Sequence, residues 1–578
     1  MKIRKGVPVT PGYAIGPAVF LASETIHIQE RTVPVAQIPA EIQRFGRAFQ
    51  GAKAEIESIE KRAGLKFADG HRTIFQAHLK MLEEMKFEIA RNIKDNRWAA
   101  EYSVTRTLKP YIKSFQDIGD DFFSQRVTDV RDIEQRLLRH LVGGAREAPA
   151  NLPAGGIVIA ADLTPSEVAS LEHRPIAALV TEAGGRSSHT AIVARAMDIP
   201  VVVGLQAITA DLSAGETVIV DGNEGVVILQ PDAATLKDYR ARLKKFQAFA
   251  KGLIALRDLP AETLDGTPVT LMANIEFPEG VHPALVHGAT GIGLYRTEFL
   301  FLSRDRAPTE EEHLESYAQV IRQMGGRPVT IRTLDLGGDK ANAEMAAFKE
   351  PNPALGCRSI RYCFQRLDLF KTQLRAILRA SAFGPVRIMF PMIGSIEEMR
   401  RAKAVLEEVR EELKKERVPV APAIPVGCMI EVPAAALHAD ILAKESDFFS
   451  IGTNDLIQYA LAVDRRNERV AYLYSPAHPA ILRLLKSVRE AAAAKGIPVA
   501  ICGEMGGDAK FTVVLVGIGI TEFSLSPALI PEMKKIIRSI RRSEAEEVAR
   551  KAFTFHSAEE TMAYLTGVTR RILPELFV

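Results

Sequence analysis

The sequence is poor in cysteine, in net charge, in long apolar runs and, over one stretch, in glycine. Only four cysteines occur in 578 residues (Cys357, Cys363, Cys428 and Cys502), all in the C-terminal half and without metal-ligand pairing. That excludes a disulfide framework and implies a reducing, cytosolic setting. The formal net charge of +3 is small for this length and implies no nucleic-acid or membrane partner. No apolar run approaches the ~20 residues of a membrane span. Pro8, Pro11 and Pro17 interrupt what would be the core of a signal peptide. From Ile38 to Leu141 glycine is scarce, and segments such as "RFGRAFQGAKAEIESIEKRAG" and "DVRDIEQRLLRHLVG" repeat apolar residues at helical spacing.

What is present divides the chain. It is too long for one core, so several domains are expected. Residues 1–22 read as extended segments broken by Gly and Pro, and after residue 145 short strands resume at "GIVIAA", "ALVTEA", "PVVVG", "TVIVDG" and "GVVILQ". The pattern predicts an α/β domain over 1–22 and 146–230 with an all-helical insertion over 23–145. A connecting helix is expected over 231–261. Eight near-continuous apolar strands then alternate with helices over 262–578: "VTLMAN", "GIGLYRTEF", "VTIRTLD", "RIMFPM", "VGCMIE", "FFSIGTND", "PVAICGE" and "FSLSP". That is the (β/α)8 pattern, with a doubly wound sheet as the alternative.

The strand ends favour the barrel. Nearly every strand closes on a polar group: Asn274, Arg296, Arg332, Glu431, Asn454, Asp455, Cys502 and Ser526. Barrels collect their chemistry at that end, from many strands at once. Arg296 and Arg332 offer planar forks for phosphate or carboxylate. Glu431 and Asp455 supply hard oxygen ligands of the kind Mg²⁺ takes. Asn454 is a hydrogen-bonding partner for such an anion, and Arg465 follows the sixth strand by a short helix. Taken singly, each of these is a surface ion pair; taken together they predict a site for a small, highly anionic ligand. A lone buried cysteine is usually a small core residue. At the end of the seventh strand, Cys502 is also placed to give a proton to carbon.

The segment "GGRSSHTAIVARAMDIPVVVG" poses a separate question. Gly184 and Gly185 permit a tight turn after a strand, Ser187 or Ser188 reads as a helix N-cap, and Pro200 ends the helix. His189 is then in the first turn, beside free backbone N–H groups that favour an anion. A solvent-facing histidine without a role and a metal ligand are the alternatives, but no further Cys, His or acidic cluster lies nearby to complete a metal site. A histidine that carries a phosphoryl group fits these features best.

The same segment resembles the phosphohistidine signature of the phosphoenolpyruvate-utilising enzymes, and "SDFFSIGTNDLIQYALAVDRRNERVAYLYSPAHPAILRLL" resembles their barrel signature. From "GVPVTPGYAIGPA" to the end the chain is similar to the enzyme I family of the phosphoenolpyruvate-dependent phosphotransferase system. The resemblance implies a swivelling phosphohistidine domain with the helical insertion, followed by a TIM-type barrel. It implies that His189 carries the phosphoryl group, that Arg296, Arg332, Asn454 and Arg465 bind phosphoenolpyruvate, that Glu431 and Asp455 bind Mg²⁺, and that Cys502 protonates the enolate. "RTLDLGGDK" and "NPALGCRSIR" also match, which adds Arg358 as a phosphate contact. The implied acceptor is the phosphocarrier protein HPr, docking on the insertion near "FQAHLKMLEEMKF", where Glu83 and Glu84 face its basic side. A dimer through the barrel and service in sugar uptake are further implications. Three positions depart from the family pattern: Cys357 stands for an aromatic residue, Ser187 for a threonine and Arg466 for a glycine. The related dikinases share both signatures but carry a nucleotide-binding domain, whereas here the histidine domain begins at residue 1 and the insertion has no Gly-rich phosphate loop.

Overall fold

The computed structural model describes residues 1–577 except 22–27, 29, 67–69, 118–120, 143–152, 162, 164–170, 172–173, 184–198, 206–207, 303–305, 337–351, 466 and 468. Within helices, no side chain is described at 58–66, 70–78, 80, 84, 111–117, 121–129, 250, 254 or 302, and none at 210 or 576–577. The chain forms two compact units, Met1–Ala248 and Phe249–Val578.

The first unit contains one sheet with the strand order β1-β8-β7-β3-β4-β5-β6-β2. The strands are β1 (Lys2–Lys5), β2 (Val7–Thr10), β3 (Tyr13–Phe20), β4 (Gly156–Ala160), β5 (Ile176–Thr181), β6 (Val201–Val203), β7 (Thr217–Asp221) and β8 (Val226–Leu229). β3, β4, β5 and β6 run parallel to one another, while β2 joins β6, β7 joins β3, and β8 joins β7 and β1, all antiparallel. Strand β4 is apolar throughout because both of its faces are covered. Ile157 and Ile159 enter one core, while Val158 and Ala160 enter another on the opposite face.

Between the paired strands β3 and β4 the chain inserts four helices: α1 (Ile38–Lys66), α2 (Gly70–Asn96), α3 (Ala100–Asp117) and α4 (Asp121–Val142). Their apolar stripes meet in a separate core built on Phe45, Phe49, Ile56, Leu82, Ile89, Val104, Ile133 and Leu137. After β8, Asp232 accepts the Thr235 N–H at 2.8 Å and starts α5 (Ala233–Ile254). Tyr239 and Phe246 of α5 pack edge-on against Tyr13 of β3 at 6.0 and 5.9 Å.

The second unit is a closed barrel of eight parallel strands. They are β9 (Thr270–Ile275), β10 (Ile292–Tyr295), β11 (Val329–Arg332), β12 (Val386–Phe390), β13 (Val426–Ile430), β14 (Phe449–Ile451), β15 (Val499–Ile501) and β16 (Glu522–Leu525). Closure comes from β16 pairing with β9 in the register Phe523 to Leu271 and Leu525 to Ala273. The doubly wound alternative is thereby excluded. Each strand is followed by helix, and the helices bury one continuous apolar shell around the barrel. Inside, Leu294, Met389, Met429, Phe448 and Cys502 form a small apolar layer of their own.

Candidate active site

The polar residues predicted at the strand ends fall at one end of the barrel, as its parallel strands require. They sort into a buried floor and an exposed rim. On the floor, Arg332 ends β11 and is 8% exposed. Its guanidinium pairs with Glu298 at 3.0 Å and Asp335 at 2.8 Å. Arg358 reaches the same Asp335 at 2.9 Å and Asp455 at 3.3 Å, and also donates to the Tyr459 hydroxyl at 3.2 Å. Glu298 closes the ring by accepting the Asp335 N–H at 3.1 Å. Glu431, immediately after β13 and 2% exposed, accepts the Met392 N–H at 2.6 Å.

Backbone geometry holds this floor in place. Met392 and Ser359 adopt φ of +56°, an uncommon conformation for side-chain-bearing residues, and flank the groups that position Glu431 and Asp335. Ser359 donates a hydrogen bond to Asp335. Two glycines are dictated by close approach. A Cβ on Gly503 would lie 1.9 Å from Thr453 Oγ1, and one on Gly452 would lie 2.8 Å from Glu431 Oε2. The turns that carry Asn454, Asp455 and Cys502 therefore accept no larger residue at these points.

The charges on the floor do not cancel. Glu298, Asp335, Glu431 and Asp455 face Arg332 and Arg358, four carboxylates against two guanidiniums. Burial disfavours both arginine charges, but Asp335 with Glu298 for Arg332, and Asp335 with Asp455 for Arg358, more than offset it. Both guanidiniums stay protonated. Asp335 is likewise penalised by burial, and Arg332 and Arg358 still hold it down to about 2. Glu431 is pushed the other way, well above the usual carboxylate range, by burial first and then by Asp335 and Asp455. Four carboxyl groups against two guanidiniums leave the floor short of positive charge beside Glu431 and Asp455, and a divalent cation there would let Glu431 ionise. Among the described residues no group of three or more His, Cys, Asp and Glu side chains is arranged to hold a metal alone. Mg²⁺ commonly takes one or two carboxylates and completes its shell with ligand phosphate and water, a demand that Glu431 and Asp455 could meet.

The rim is different. Arg296 pairs with Glu276 at 2.6 Å, and Arg465 pairs with Glu504 at 3.4 Å. The Asn454 amide donates to Glu504 Oε1 at 3.0 Å and accepts the Glu504 N–H at 2.9 Å. Below it, Cys502 is 3% exposed, and its thiol donates weakly to the Ile451 carbonyl at 3.5 Å. Burial pushes the thiol pKa up to about 11, so it carries its proton at neutral pH. Asn274 braces this turn, donating to the Cys502 carbonyl at 3.0 Å and accepting from Ser524 at 2.6 Å.

His189, Ser187 and Ser188 lie outside the described residues, as do the side chain of Glu84 and Arg466. Glu83 is described, and its carboxylate pairs with Lys53 at 2.6 Å. The acidic partners Glu276, Glu298, Asp335 and Glu504 were not among the residues the sequence singled out. Asp335 stands within "RTLDLGGDK", and Glu504 stands two residues after Cys502. In both cases the acid lies inside a motif already noticed for its other residues.

Three family models match the chain. They describe the N-terminal domain of PEP-utilising enzymes over residues 5–126, their mobile domain over 152–225 and their PEP-binding domain over 250–542. The phosphoenolpyruvate-protein phosphotransferases of Bacillus sp. (strain S) and Geobacillus stearothermophilus are each 43% identical over 562 residues, spanning 97% of this chain and 97% of the relative. That of Bacillus subtilis (strain 168) is 40% identical over 567 residues, spanning 98% of this chain and 99% of its own length. The chain is a transferase that belongs to the phosphoenolpyruvate-protein phosphotransferase family of PEP-utilising enzymes.

Proposed function

We propose that the chain transfers the phosphoryl group of phosphoenolpyruvate to His189 and then to a histidine of HPr, releasing pyruvate, as the first step of sugar uptake in the cytoplasm. The observation that carries this reading is the barrel mouth, where two permanently charged guanidiniums, a carboxyl group short of a cation and a protonated thiol lie at the ends of neighbouring strands. Mg²⁺, held by Glu431 and Asp455, supplies charge neutralisation for the transferring oxygens.

Arg296, Arg332, Arg358, Asn454 and Arg465 bind and orient the substrate's phosphate and carboxylate. Their fixed positions stabilise charge that spreads over the phosphoryl oxygens in the transition state. The bond from phosphorus to the enol oxygen breaks as a His189 nitrogen bonds to phosphorus, leaving the enolate of pyruvate. The Cys502 thiol gives its proton to the enolate's terminal carbon, and the thiolate recovers a proton from solvent. A thiol with a pKa of about 11 suits this role because it arrives protonated. His189 falls in the chain span of the first unit and the arginines in the second. Attack at roughly 3 Å therefore requires the two to move together and apart.

The helical insertion is the HPr-docking element of this reading. Glu83 and Phe87 stand four residues apart on α2, and Phe87 is 79% exposed, an apolar anchor beside a carboxylate. On the barrel, Leu437, Tyr472 and Leu473 are exposed apolar residues that support a homodimer through that unit. Among the described residues no helix is long and apolar enough to cross a membrane.

The test is a fragment of residues 1 to 248, which forms a compact unit with its own cores. Once circular dichroism shows it folded, phospho-HPr should phosphorylate it and phosphoenolpyruvate should not. A folded fragment that takes phosphate directly from phosphoenolpyruvate overturns the division of labour.

A further inference from the structure

The cationic groups of the mouth are held by two kinds of acid. Arg332 and Arg358 are tied to Asp335, which is 6% exposed and bridged by Glu298 and Ser359. Arg296 and Arg465 are tied instead to glutamates that stand in solvent: Glu276 is 52% exposed and Glu504 is 81% exposed. Glu504 also saturates Asn454, with its carboxylate on the amide N–H₂ and its backbone N–H on the amide oxygen. Every rim group assigned to the substrate's anionic oxygens is thus already in contact with a carboxylate or with the residue that bears it.

We propose that Glu276 and Glu504 are internal stand-ins for the substrate's anionic groups. They occupy Arg296, Arg465 and Asn454 in the empty mouth, hold those side chains in place, and weaken every anionic ligand that has to displace them. This inference rests on the reading of the mouth as the phosphoenolpyruvate site.

The physical reason is the difference in exposure. An ion pair in high dielectric gains little, so a ligand carrying both a phosphate and a carboxylate displaces it at small cost. The buried pairs of Arg332 and Arg358 are not exchanged in this way, because breaking one would strand a charge out of water. Once the phosphoryl group has left, the remaining ligand has a single carboxylate to offer the rim. The two glutamates then compete with it on nearly equal terms and favour its release. The glutamates act on the ligand through the arginines and Asn454, so they are positioning residues. The Asn454 Oδ1 contact is to backbone, so a glutamine at 504 keeps the amide oriented while removing the charge.

The experiment uses the full chain carrying His189→Ala, so that binding is not followed by transfer, with Mg²⁺ present. Dissociation constants for phosphoenolpyruvate and for pyruvate are measured by calorimetry with and without Glu276→Gln, Glu504→Gln and both together. Each substitution should tighten phosphoenolpyruvate, which displaces both glutamates, by about two- to fivefold, the worth of an exposed ion pair, and pyruvate by no more. The double variant should bind phosphoenolpyruvate most tightly. Glu504→Ala, which removes the acceptor for the Asn454 amide as well as the charge, should lose part of that gain. Unchanged constants in the glutamine variants, or equal weakening of both ligands, would overturn the proposal while leaving the mouth as the binding site. If the His189→Ala chain binds no phosphoenolpyruvate at all, the site reading and this inference fall together.

Discussion

The helical bundle and the barrel mouth each bury an arginine, and they balance it in opposite ways. In the bundle, Arg136 is fully buried and pairs with Asp132, itself 1% exposed, at 3.3 Å, and with the more exposed Glu55 at 2.7 Å. One buried cation meets one buried anion, and the second carboxylate, Glu55, stands partly in solvent, where water screens its charge. In the mouth, Arg332 and Arg358 face four carboxylates, and one of these, Glu431, is held far from its ordinary ionisation. A closed pair orders a core. An unbalanced cluster at the ends of several strands is poised for an ion or a charged ligand. Charge count, more than the presence of a buried charge, separates a structural site from a binding one.

That contrast can be broken in stages. The largest effect is expected at Cys502. Cys502→Ala should slow pyruvate formation by roughly 10²–10⁴-fold, with little change in phosphoenolpyruvate binding, because a proton donor contributes to the transition state alone. Near-normal turnover would return Cys502 to the apolar layer it shares with Leu294, Met389, Met429 and Phe448. Next comes Glu431→Gln, which should reduce phosphorylation by on the order of 10²–10³-fold by removing a metal ligand. Because it also relieves the negative excess, its melting temperature should equal or exceed that of the parent. A large loss of stability would show that the mouth is balanced after all.

The bundle should answer in the reverse sense. Arg136→Ala strands Asp132 without its buried partner and should cost the bundle about 3–5 kcal/mol in urea denaturation, with phosphoenolpyruvate affinity unchanged. The smallest effect concerns Glu532, outside both clusters, whose pKa burial and the nearby Asp508 push up to about 7. Its folded value lies above its unfolded one, so its stabilisation is full below about pH 4.5 and is lost as pH rises through about 7. Melting temperatures across that window should fall less steeply in Glu532→Gln than in the parent.

Much of the fold was legible in the sequence for one physical reason. Strands buried on both faces read as apolar runs, so the eight barrel strands and the inner strands of the first sheet stand out. Arg332, Glu431, Asn454, Asp455 and Cys502 were legible as candidates because each follows or ends such a run. Glu298, Asp335, Glu276 and Glu504 were not, because they sit in loops or helix starts where no periodicity fixes which way a side chain turns. Glu298 lies two residues beyond Arg296 yet pairs with Arg332, a partner that spacing does not predict. The sorting into buried floor and exposed rim is three-dimensional, and Arg296 and Arg332 look alike until burial separates them.

The measurement that tests the central claim most directly is phosphopeptide mapping by mass spectrometry after incubating the full chain with phosphoenolpyruvate and Mg²⁺. The account predicts one acid-labile phosphoryl group, on His189, in the parent. It predicts none in His189→Ala, although that variant still binds phosphoenolpyruvate. A phosphoryl group on any other residue, or a labelled His189→Ala chain, would contradict it.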